Sequence, residues 1–566
     1  MSFPSESGAS VGSIPGLPVL ARGLHFSRWS AAALLLALLL GLSLALDRDG
    51  SLGTDTGGKV ATIDAMVERG DWSPTIGYWA DDVDPDGVAH PFFGTRRTEA
   101  GWVNVTTLPM ILVTRFLVGG LGEQALLVVP ILGAVLTCLA AGELARFFGA
   151  LSWRPGFLAA ASSSPVVVYG LDFWEHSIGL ALMLWATVFF LKSRETSPLH
   201  GIALALISGS LFGAAATMRQ EALIYGAVTG LVCVFGSSAG RVSQRFLRGG
   251  AMAAGALVPL AANAMLERAV IGASARTDRA VGVVSVSGTD LGQRIQEGIV
   301  ITASPINLVH PLSLAMAGLV AVGVVWTAVA LLRSVDVSRP FVLCALIILL
   351  VFLRLVVFGP TFIPGMLAAV PAAGLGIGAA LYYRQHTLLV LAALPIPLVW
   401  ATQYAGAAEA QWAGRYILTS GLLLVTIGVG LAVSQRPRVV AGFLAANVAF
   451  SLIGIAYVIR RTNEFGEANR SLTELTTDVV VFSDDFLARE AAPLGWDANW
   501  LSATDAADRL MVSRILAANE VDEFTFLRHE GEATAEFIGY SPVGSTREVS
   551  YGAFVIEDQR YVRASR

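Results

Sequence analysis

Ionisable residues at the edges of long apolar segments are the residues of this 566-residue chain that could do chemistry. Charges are costly in such surroundings, so each one is a candidate functional residue. A carboxylate can take a proton from a hydroxyl, arginine presents a planar fork to phosphoryl oxygens, and histidine can hydrogen-bond a phosphate or hold a metal. The candidates are Asp55 in GTDTGGK, Glu175 and His176 in LDFWEHS, Arg219 and Glu221 in TMRQEAL, Arg415 in AQWAGRY, and Arg354.

Each motif also has a purely structural interpretation. Asp55 could cap a following helix, with Gly57 and Gly58 as turn residues. Glu175 and His176 could hold a divalent cation, or could form an interfacial turn that Trp174 anchors in the bilayer. The arginines could bind phosphate or pair with acidic side chains inside a helix bundle. The sequence alone leaves these alternatives open.

Two other patterns predict structure rather than chemistry. The acidic run Asp81, Asp82, Asp84 and Asp86 departs from the spacing of a calcium loop, so a structural or solvated turn is favoured over a metal site. The three cysteines, Cys138, Cys233 and Cys344, lie inside apolar segments without CxxC spacing. Buried thiols are therefore expected, and neither a disulfide framework nor a zinc ribbon.

The elements that must position these residues are transmembrane helices. Hydrophobic residues make up 54% of the chain and charged residues only 14%, which excludes a large soluble enzyme. Without a dense basic patch, nucleic acid is not an expected partner. After a disordered cytoplasmic start at 1–27, the hydropathy predicts about 11–13 spans, with thirteen as the preferred count. They lie at 24–46, 125–145, 155–171, 177–191, 202–217, 222–236, 250–266, 312–332, 341–358, 364–382, 387–404, 416–433 and 439–458.

Arginine and lysine clusters in alternate loops give the orientation, because such loops stay in the cytoplasm. With thirteen spans the clusters share one side, which places the amino terminus inside and the carboxyl tail outside. Residues 28–459 then form the transmembrane domain, with outer loops at 47–107 and 268–311. Residues Thr107 to Leu121 are expected to lie along the interface. The arginine bias also suggests a GC-rich bacterial source, such as an actinobacterium, and the bacterial plasma membrane.

The tail at 460–566 is large enough for a small extracytoplasmic α/β domain. Strands are predicted at Asp478–Phe482, Glu523–Leu527, Ala535–Tyr540 and Gly552–Glu557, and a helix at Ser502–Asn519 that begins with a Ser-x-x-Asp capping pattern. The tail contains no nucleophile motif and no GxGxxG, so an accessory domain is expected.

The order of these features, with the motifs TDTGGK, MVERGDWS, DFWEHS, RQE and QWAGRY, resembles the GT-C superfamily of glycosyltransferases that use polyprenyl-phosphate sugars. The resemblance implies that Asp55 is the catalytic base and that Glu175 helps to organise the site. It also implies that basic and neighbouring residues bind the donor's phosphate. The candidates for substrate binding are Lys59, His176, Arg219, Glu221, Arg354, Trp412, Arg415 and Tyr416. Family members often have paired acids in the first loop, whereas here Thr56 follows Asp55, so the sugar is not identified.

The resemblance implies transfer from a polyprenyl-phosphate donor to a hydroxyl of a cell-envelope glycan, glycolipid or protein, with inversion at the anomeric carbon. The cofactor is unassigned, with Mg²⁺ or Mn²⁺ at Glu175 and His176 as a candidate. Two alternatives are a transporter or flippase of a lipid-linked saccharide and a polymerase or ligase that uses a lipid diphosphate. The polar residues cluster on one face and no internal repeat is evident, which disfavours transport.

Overall fold

The computed structural model describes residues 27–50, 54–92, 94–104, 107–236, 241–272, 290–305, 309–333, 363–402, 412–473, 477–491, 499–551 and 554–564. The predicted span at 341–358, together with Arg354 and Cys344, lies outside these residues. So do most of the amino-terminal segment 1–27 and part of the outer loop at 268–311. Asp55 lies in a described helix, but its side chain is not described.

Apolar helices form the membrane domain, and they coincide with the predicted spans. They are α1 (Arg28–Ser43), α4 (Val128–Phe147), α5 (Arg154–Ala161), α6 (Ser164–Gly170), α7 (His176–Glu195), α8 (Pro198–Met218), α9 (Ala222–Phe235), α10 (Val242–Ile271), α12 (Pro311–Arg333), α13 (Met366–Ala369), α14 (Pro371–Tyr382), α15 (His386–Ala393), α16 (Pro395–Thr402), α17 (Leu418–Ala432) and α18 (Pro437–Thr473). Seven of the described helices, α4, α7, α8, α10, α12, α17 and α18, are long and apolar enough to cross a membrane. The protein is therefore a multi-pass α-helical membrane protein.

Proline accounts for the main departures from the predicted spans. Three of the predicted spans each form two short helices, and Pro165, Pro371 and Pro395 stand at or next to the start of the second piece. Proline has no amide hydrogen and its ring clashes with the preceding turn, so a continuous helix is interrupted there. Helix α18, by contrast, extends beyond its predicted span by a further fifteen residues, from 459 to Thr473.

The first outer loop contains helix α2 (Thr54–Glu68), the hairpin β1 (Thr95–Thr98) and β2 (Gly101–Asn104), and helix α3 (Leu108–Leu121). Helix α3 matches the predicted interfacial segment. The second outer loop contains α11 (Asp290–Ala303). Gly57 and Gly58 lie inside α2, so their predicted role as turn residues is wrong. They permit close packing instead, because an added Cβ would lie 1.7 Å from the carbonyl oxygen of Arg489 at Gly57 and 3.0 Å from the Asn104 side chain at Gly58.

The tail is an α/β domain. Its elements are β3 (Val479–Phe482), α19 (Asp485–Ala491), β4 (Asn499–Ser502), α20 (Ala506–Ala518), β5 (Glu523–His529), β6 (Tyr540–Tyr551) and β7 (Phe554–Arg563). The five strands form a mixed sheet in the order β4-β3-β5-β7-β6. Strand β3 runs parallel to β4 and β5, whereas β7 is antiparallel to β5 and β6.

Two details of the tail prediction are wrong. Ser502 ends β4 and does not cap the helix; the cap is Asp505, whose side chain accepts hydrogen bonds from the amides of Ala507 and Asp508. The segment Ala535–Tyr540 is not a strand, apart from Tyr540, which begins β6. Its apolar residues nevertheless serve the core, since Phe537 packs against Phe524 and Phe526.

The tail and the first outer loop share one hydrophobic core. Ala61 and Ala65 of α2 and Trp102 of β2 belong to the same buried cluster as Phe465 of α18 and Phe482 of β3. Backbone contacts reinforce it: the Ser502 amide donates to the Ala89 carbonyl at 2.9 Å. The loop and the tail thus pack together as one unit.

Candidate active site

Helix α2 carries the first two candidate residues. Asp55 is its second residue, and Lys59 lies one turn later on the same helical face. Lys59 is only 2% exposed, and its Nζ donates to Oε2 of Glu175 at 2.5 Å. A buried ammonium requires a charged or hydrogen-bonding partner, and Glu175 supplies it.

Glu175 joins the first outer loop to the turn between α8 and α9. It precedes α7, and its other oxygen, Oε1, lies 3.7 Å from Nη1 of Arg219. The Arg219 guanidinium also donates from Nε to Oε1 of Glu221 at 2.8 Å. All four side chains are buried, so Lys59, Glu175, Arg219 and Glu221 form one charged network drawn from three distant segments. The structural alternative, arginine–carboxylate pairing within the bundle, is thus realised for Arg219.

The rings of Trp174 and Tyr416 contact the cations of this network and a further cation, Arg415. The guanidinium carbon of Arg415 lies 5.3 Å from the ring centroid of Trp174 and 4.5 Å from that of Tyr416. Arg219 lies 5.0 Å from the Tyr416 ring, and Lys59 Nζ lies 5.9 Å from the Trp174 ring. Cations over aromatic faces gain electrostatic stabilisation. Three positive groups therefore converge around Trp174 and Tyr416.

His176 lies within the same aromatic group. Its ring stacks on Tyr169 at a centroid distance of 4.6 Å and an interplanar angle of 11°, and it packs against Trp174 at 4.6 Å. The ring is buried, yet in the described part of the chain neither Nδ1 nor Nε2 has a hydrogen-bond partner. The Nε1 of Trp174 is in the same state. Buried polar atoms of this kind are rare and need an explanation, such as a ligand.

Trp412 makes hydrogen bonds within the fold. Its indole nitrogen donates to Oγ of Ser164 at 3.0 Å, and its carbonyl accepts from the Tyr169 hydroxyl at 2.7 Å. These bonds use its polar atoms to join the Arg415 turn to α6. They give Trp412 a structural role, and its contact with the substrate stays a prediction.

A divalent cation does not fit the pair Glu175 and His176. The two carboxylate oxygens of Glu175 already face Lys59 and Arg219, and a metal would have to displace those cations. Among the described residues, no group of three His, Cys, Asp or Glu side chains is arranged to hold a metal ion.

The acidic run in the first outer loop forms a structural turn. Asp84 is fully buried and accepts from the Tyr78 hydroxyl at 2.7 Å and the Ala89 amide at 2.8 Å. Asp81 accepts from Nε1 of Trp102 at 2.9 Å. The structural interpretation is therefore confirmed for these two residues.

The sequence missed the role of Tyr169. This tyrosine stacks on His176 from α6, seven residues earlier in the chain, and its hydroxyl holds the carbonyl of Trp412. The only available signal was a tyrosine close to the LDFWEHS motif. The sequence predicts that Glu175, Arg219 and Arg415 lie on the same side of the membrane, and the structure brings these three close to Lys59.

No family model matches the chain, and no curated protein matches it. Among solved structures, the chain is similar to ArnT from Cupriavidus metallidurans bound to undecaprenyl phosphate, with 16% identity over 94% of this chain and 98% of that chain and a TM-score of 0.45. The apo state of the same protein gives 15% identity, the same coverage and a TM-score of 0.45. An oligosaccharyltransferase from Archaeoglobus fulgidus gives 12% identity over 87% of this chain and 69% of that chain, with a TM-score of 0.47. The matches give no support to an actinobacterial source.

Proposed function

We propose that this protein is a membrane glycosyltransferase that moves a sugar from a polyprenyl-phosphate donor to a hydroxyl group of a cell-envelope acceptor on the outer face. The observation that carries the proposal is the convergence of Lys59, Arg219 and Arg415 around Trp174 and Tyr416. Three buried cations beside unpartnered ring nitrogens suit a phosphate that enters from the lipid phase.

The cations act on the leaving group. When the bond between the anomeric carbon and the phosphate oxygen breaks, negative charge collects on the phosphate. Cations held in place before the reaction stabilise that charge most effectively, because they need no reorganisation. Arg415 and Arg219 supply planar guanidinium groups for the phosphoryl oxygens, and Lys59 supplies a point charge. Glu175 holds Lys59 and orients Arg219.

Asp55 is the proposed base. It lies one helical turn before Lys59, so a carboxylate there is near the proposed phosphate site. The acceptor hydroxyl loses its proton to Asp55 as its oxygen forms the new bond to the anomeric carbon and the phosphate departs. A single displacement without an enzyme nucleophile inverts the configuration at that carbon. The chemistry needs no metal at Glu175, whose oxygens are already paired with cations.

The test is sugar transfer by the purified full-length chain in detergent. Radiolabelled polyprenyl-phosphate sugars would be offered with cell-envelope glycan, glycolipid and protein acceptors, with and without a chelator. Asp55→Asn should reduce transfer by at least 10²-fold, because positioned acid–base groups contribute about 10²–10⁴-fold. The matched control is Asp82→Asn, an exposed carboxylate of the same outer loop, which should keep wild-type activity.

The outcomes separate the proposed functions. Full activity of Asp55→Asn would remove Asp55 as the base. Loss of activity with chelator would contradict the metal-free site. Binding of polyprenyl phosphate without transfer from any donor would favour the transporter or flippase, and transfer from lipid diphosphates alone would favour the polymerase or ligase.

A further inference from the structure

The segment that carries Asp55 is enclosed by residues from the far end of the chain. The connection at 47–50, which follows α1, lies against the outer half of α18. An added Cβ at Gly50 would lie 1.9 Å from the carbonyl oxygen of Thr462, and one at Gly466 would lie 2.3 Å from Cγ of Asp47. Distances this short mean that the two backbones are in direct contact and that no side chain fits between them.

Polar contacts fix the same connection. The Arg470 guanidinium donates to Oδ2 of Asp47 at 2.7 Å and to Oδ2 of Asp49 at 2.7 Å. The amide side chain of Asn469 donates to the carbonyl of Asp49 at 2.5 Å. Three charged groups and one amide thus attach the start of the first outer loop to α18.

The tail contacts α2 on the other side of Asp55. Helix α19 packs its backbone on the first turn of α2, where the carbonyl oxygen of Arg489 would lie 1.7 Å from a Cβ at Gly57. Gly57 is two residues after Asp55. Beyond this contact, Ala61 and Ala65 of α2 share their buried cluster with Phe465 and Leu472 of α18.

We infer that two segments, 462–473 at the outer end of α18 and Asp485–Ala491 of α19, together form the positioning element for Asp55. Before Asp55, Arg470 fixes the connection at 47–50. After Asp55, the backbone of Arg489 packs on the first turn of α2. This inference rests on the proposed function, because it assigns a role in transfer to residues that do not contact the substrate. The tail then belongs to the catalytic unit.

The expected effect falls on turnover rather than on donor binding. The phosphate-binding cations lie on α2, the turn after α8 and the Arg415 turn, and none of them is supplied by the tail. A displacement of about 1 Å in a reacting group costs on the order of 10²-fold in rate. Weakened positioning should therefore lower kcat for transfer far more than it raises KM for the donor, because Arg219 and Arg415 lie outside α2 and Lys59 is held by Glu175.

The first variant is Gly57→Ala. Its methyl group collides with a backbone oxygen that cannot rotate away, so α2 and α19 must separate. The matched control is Gly120→Ala in α3, a helical glycine with no atom within 4 Å of an added Cβ. We expect kcat to fall about 100-fold for Gly57→Ala and to stay at the wild-type value for Gly120→Ala.

A second pair of variants guards against misfolding of the first. Arg470→Asp places a third carboxylate beside Asp47 and Asp49 on a half-exposed surface, where the chain should tolerate it. Adding Asp49→Arg restores opposite charges in exchanged positions. We expect Arg470→Asp to lower kcat at least fivefold and the double variant to recover most of that loss.

Hydrogen–deuterium exchange of the full-length protein supplies a measurement that does not depend on activity. Amides in the first turn of α2 should exchange at least tenfold faster in Gly57→Ala than in Gly120→Ala. Wild-type kcat in Gly57→Ala, a change in KM alone, or absence of charge-swap recovery would overturn the inference. A wild-type protein that transfers no sugar would refute the proposed function, whereas an active wild type with normal α2 exchange in Gly57→Ala would refute only the positioning role.

Discussion

Both ring nitrogens of His176 are buried in the site without a hydrogen-bond partner among the described residues. Stacking on Tyr169 and Trp174 holds the imidazole rigidly, and in the described residues nothing accepts or donates at its edge. A rigid ring with free nitrogens is suited to a ligand, since little conformational entropy is lost when it binds. The hypothesis is that His176 hydrogen-bonds the donor phosphate.

His176→Phe tests this hypothesis, because phenylalanine keeps the stacked ring and removes both nitrogens. A hydrogen bond to a charged group contributes about 1.5–3 kcal/mol, so the Kd for polyprenyl phosphate should rise about 10- to 100-fold. The Kd would be measured by binding of radiolabelled lipid to the purified protein. The control is His200→Phe, an exposed histidine bonded to Ser197 at the far end of α7. An unchanged Kd in His176→Phe would leave the histidine with a packing role only.

The residue pairs were the least predictable part of the site. Asp55, Glu175, Arg219 and Arg415 were placed on one side of the membrane by counting spans. The sequence could not show that Lys59 meets Glu175, because the two lie 116 positions apart and the pairing depends on how α2 packs on α7. Nor could it separate Trp412, whose polar atoms serve the fold, from Tyr416, which faces two guanidinium groups.

At the scale of elements, helix α2 also carries Asp64, an acidic residue whose pKa is raised. Burial raises the pKa of Asp64 to about 7, and the charges of Glu123 and Glu68 add to that rise. In the unfolded chain this carboxyl has a pKa near 3.8. Between these two values the folded protein keeps a proton that the unfolded chain has lost, so stability falls as the pH rises through this range.

Asp64→Asn removes this titration. The variant should match the wild type in thermal stability at pH 4 and should be more stable at pH 8, where the wild type carries a partly buried charge. The measurement is the unfolding temperature in detergent across that range, with the exposed Asp82→Asn as the control that keeps the wild-type profile. Parallel profiles for Asp64→Asn and wild type would contradict the assignment.

Element types followed from the sequence wherever one physical rule dominated. Long apolar runs fixed the positions of α4, α7, α8, α10 and α12, and the valine-rich run fixed β3. Local patterns failed where tertiary contacts decided. Gly57 has the residue type of a turn but lies in α2, where the backbone of α19 packs too closely for a side chain. The apolar pattern of Ala535–Tyr540 predicts a strand, but the segment is irregular, and its Phe537 side chain packs into the core.

At the scale of the whole molecule, the basic turns collect at one end of the helix bundle. Arg248 at the start of α10 donates to the carbonyl of Thr196 in the turn between α7 and α8, at 3.4 Å. Tyr383, after α14, donates to Gln435 in the turn between α17 and α18 at 3.0 Å. Because arginine-rich loops stay in the cytoplasm, we predict that this end faces the cytoplasm and that the tail lies outside.

Cysteine labelling in intact cells tests that orientation. In a chain whose three native cysteines are replaced, Ser545→Cys in the exposed part of β6 should react with a membrane-impermeant maleimide. Ser197→Cys, exposed in the turn between α7 and α8, should react only after the cells are opened. The reverse pattern would invert the topology and move the proposed site to the cytoplasmic face.

Helix α18 constrains the number of residues between its end in the membrane domain and its end at the first outer loop. Its 37 residues form one continuous rod of about 55 Å, packed on membrane helices at one end and on the first outer loop at the other. One inserted residue would turn everything beyond it by about 100° and move it by about 1.5 Å, and seven would restore the rotation but shift it by about 10 Å. No insertion before Thr462 preserves both rotation and height. Homologous chains should therefore vary in length in surface turns, while the number of residues between the two packed ends of α18 stays constant.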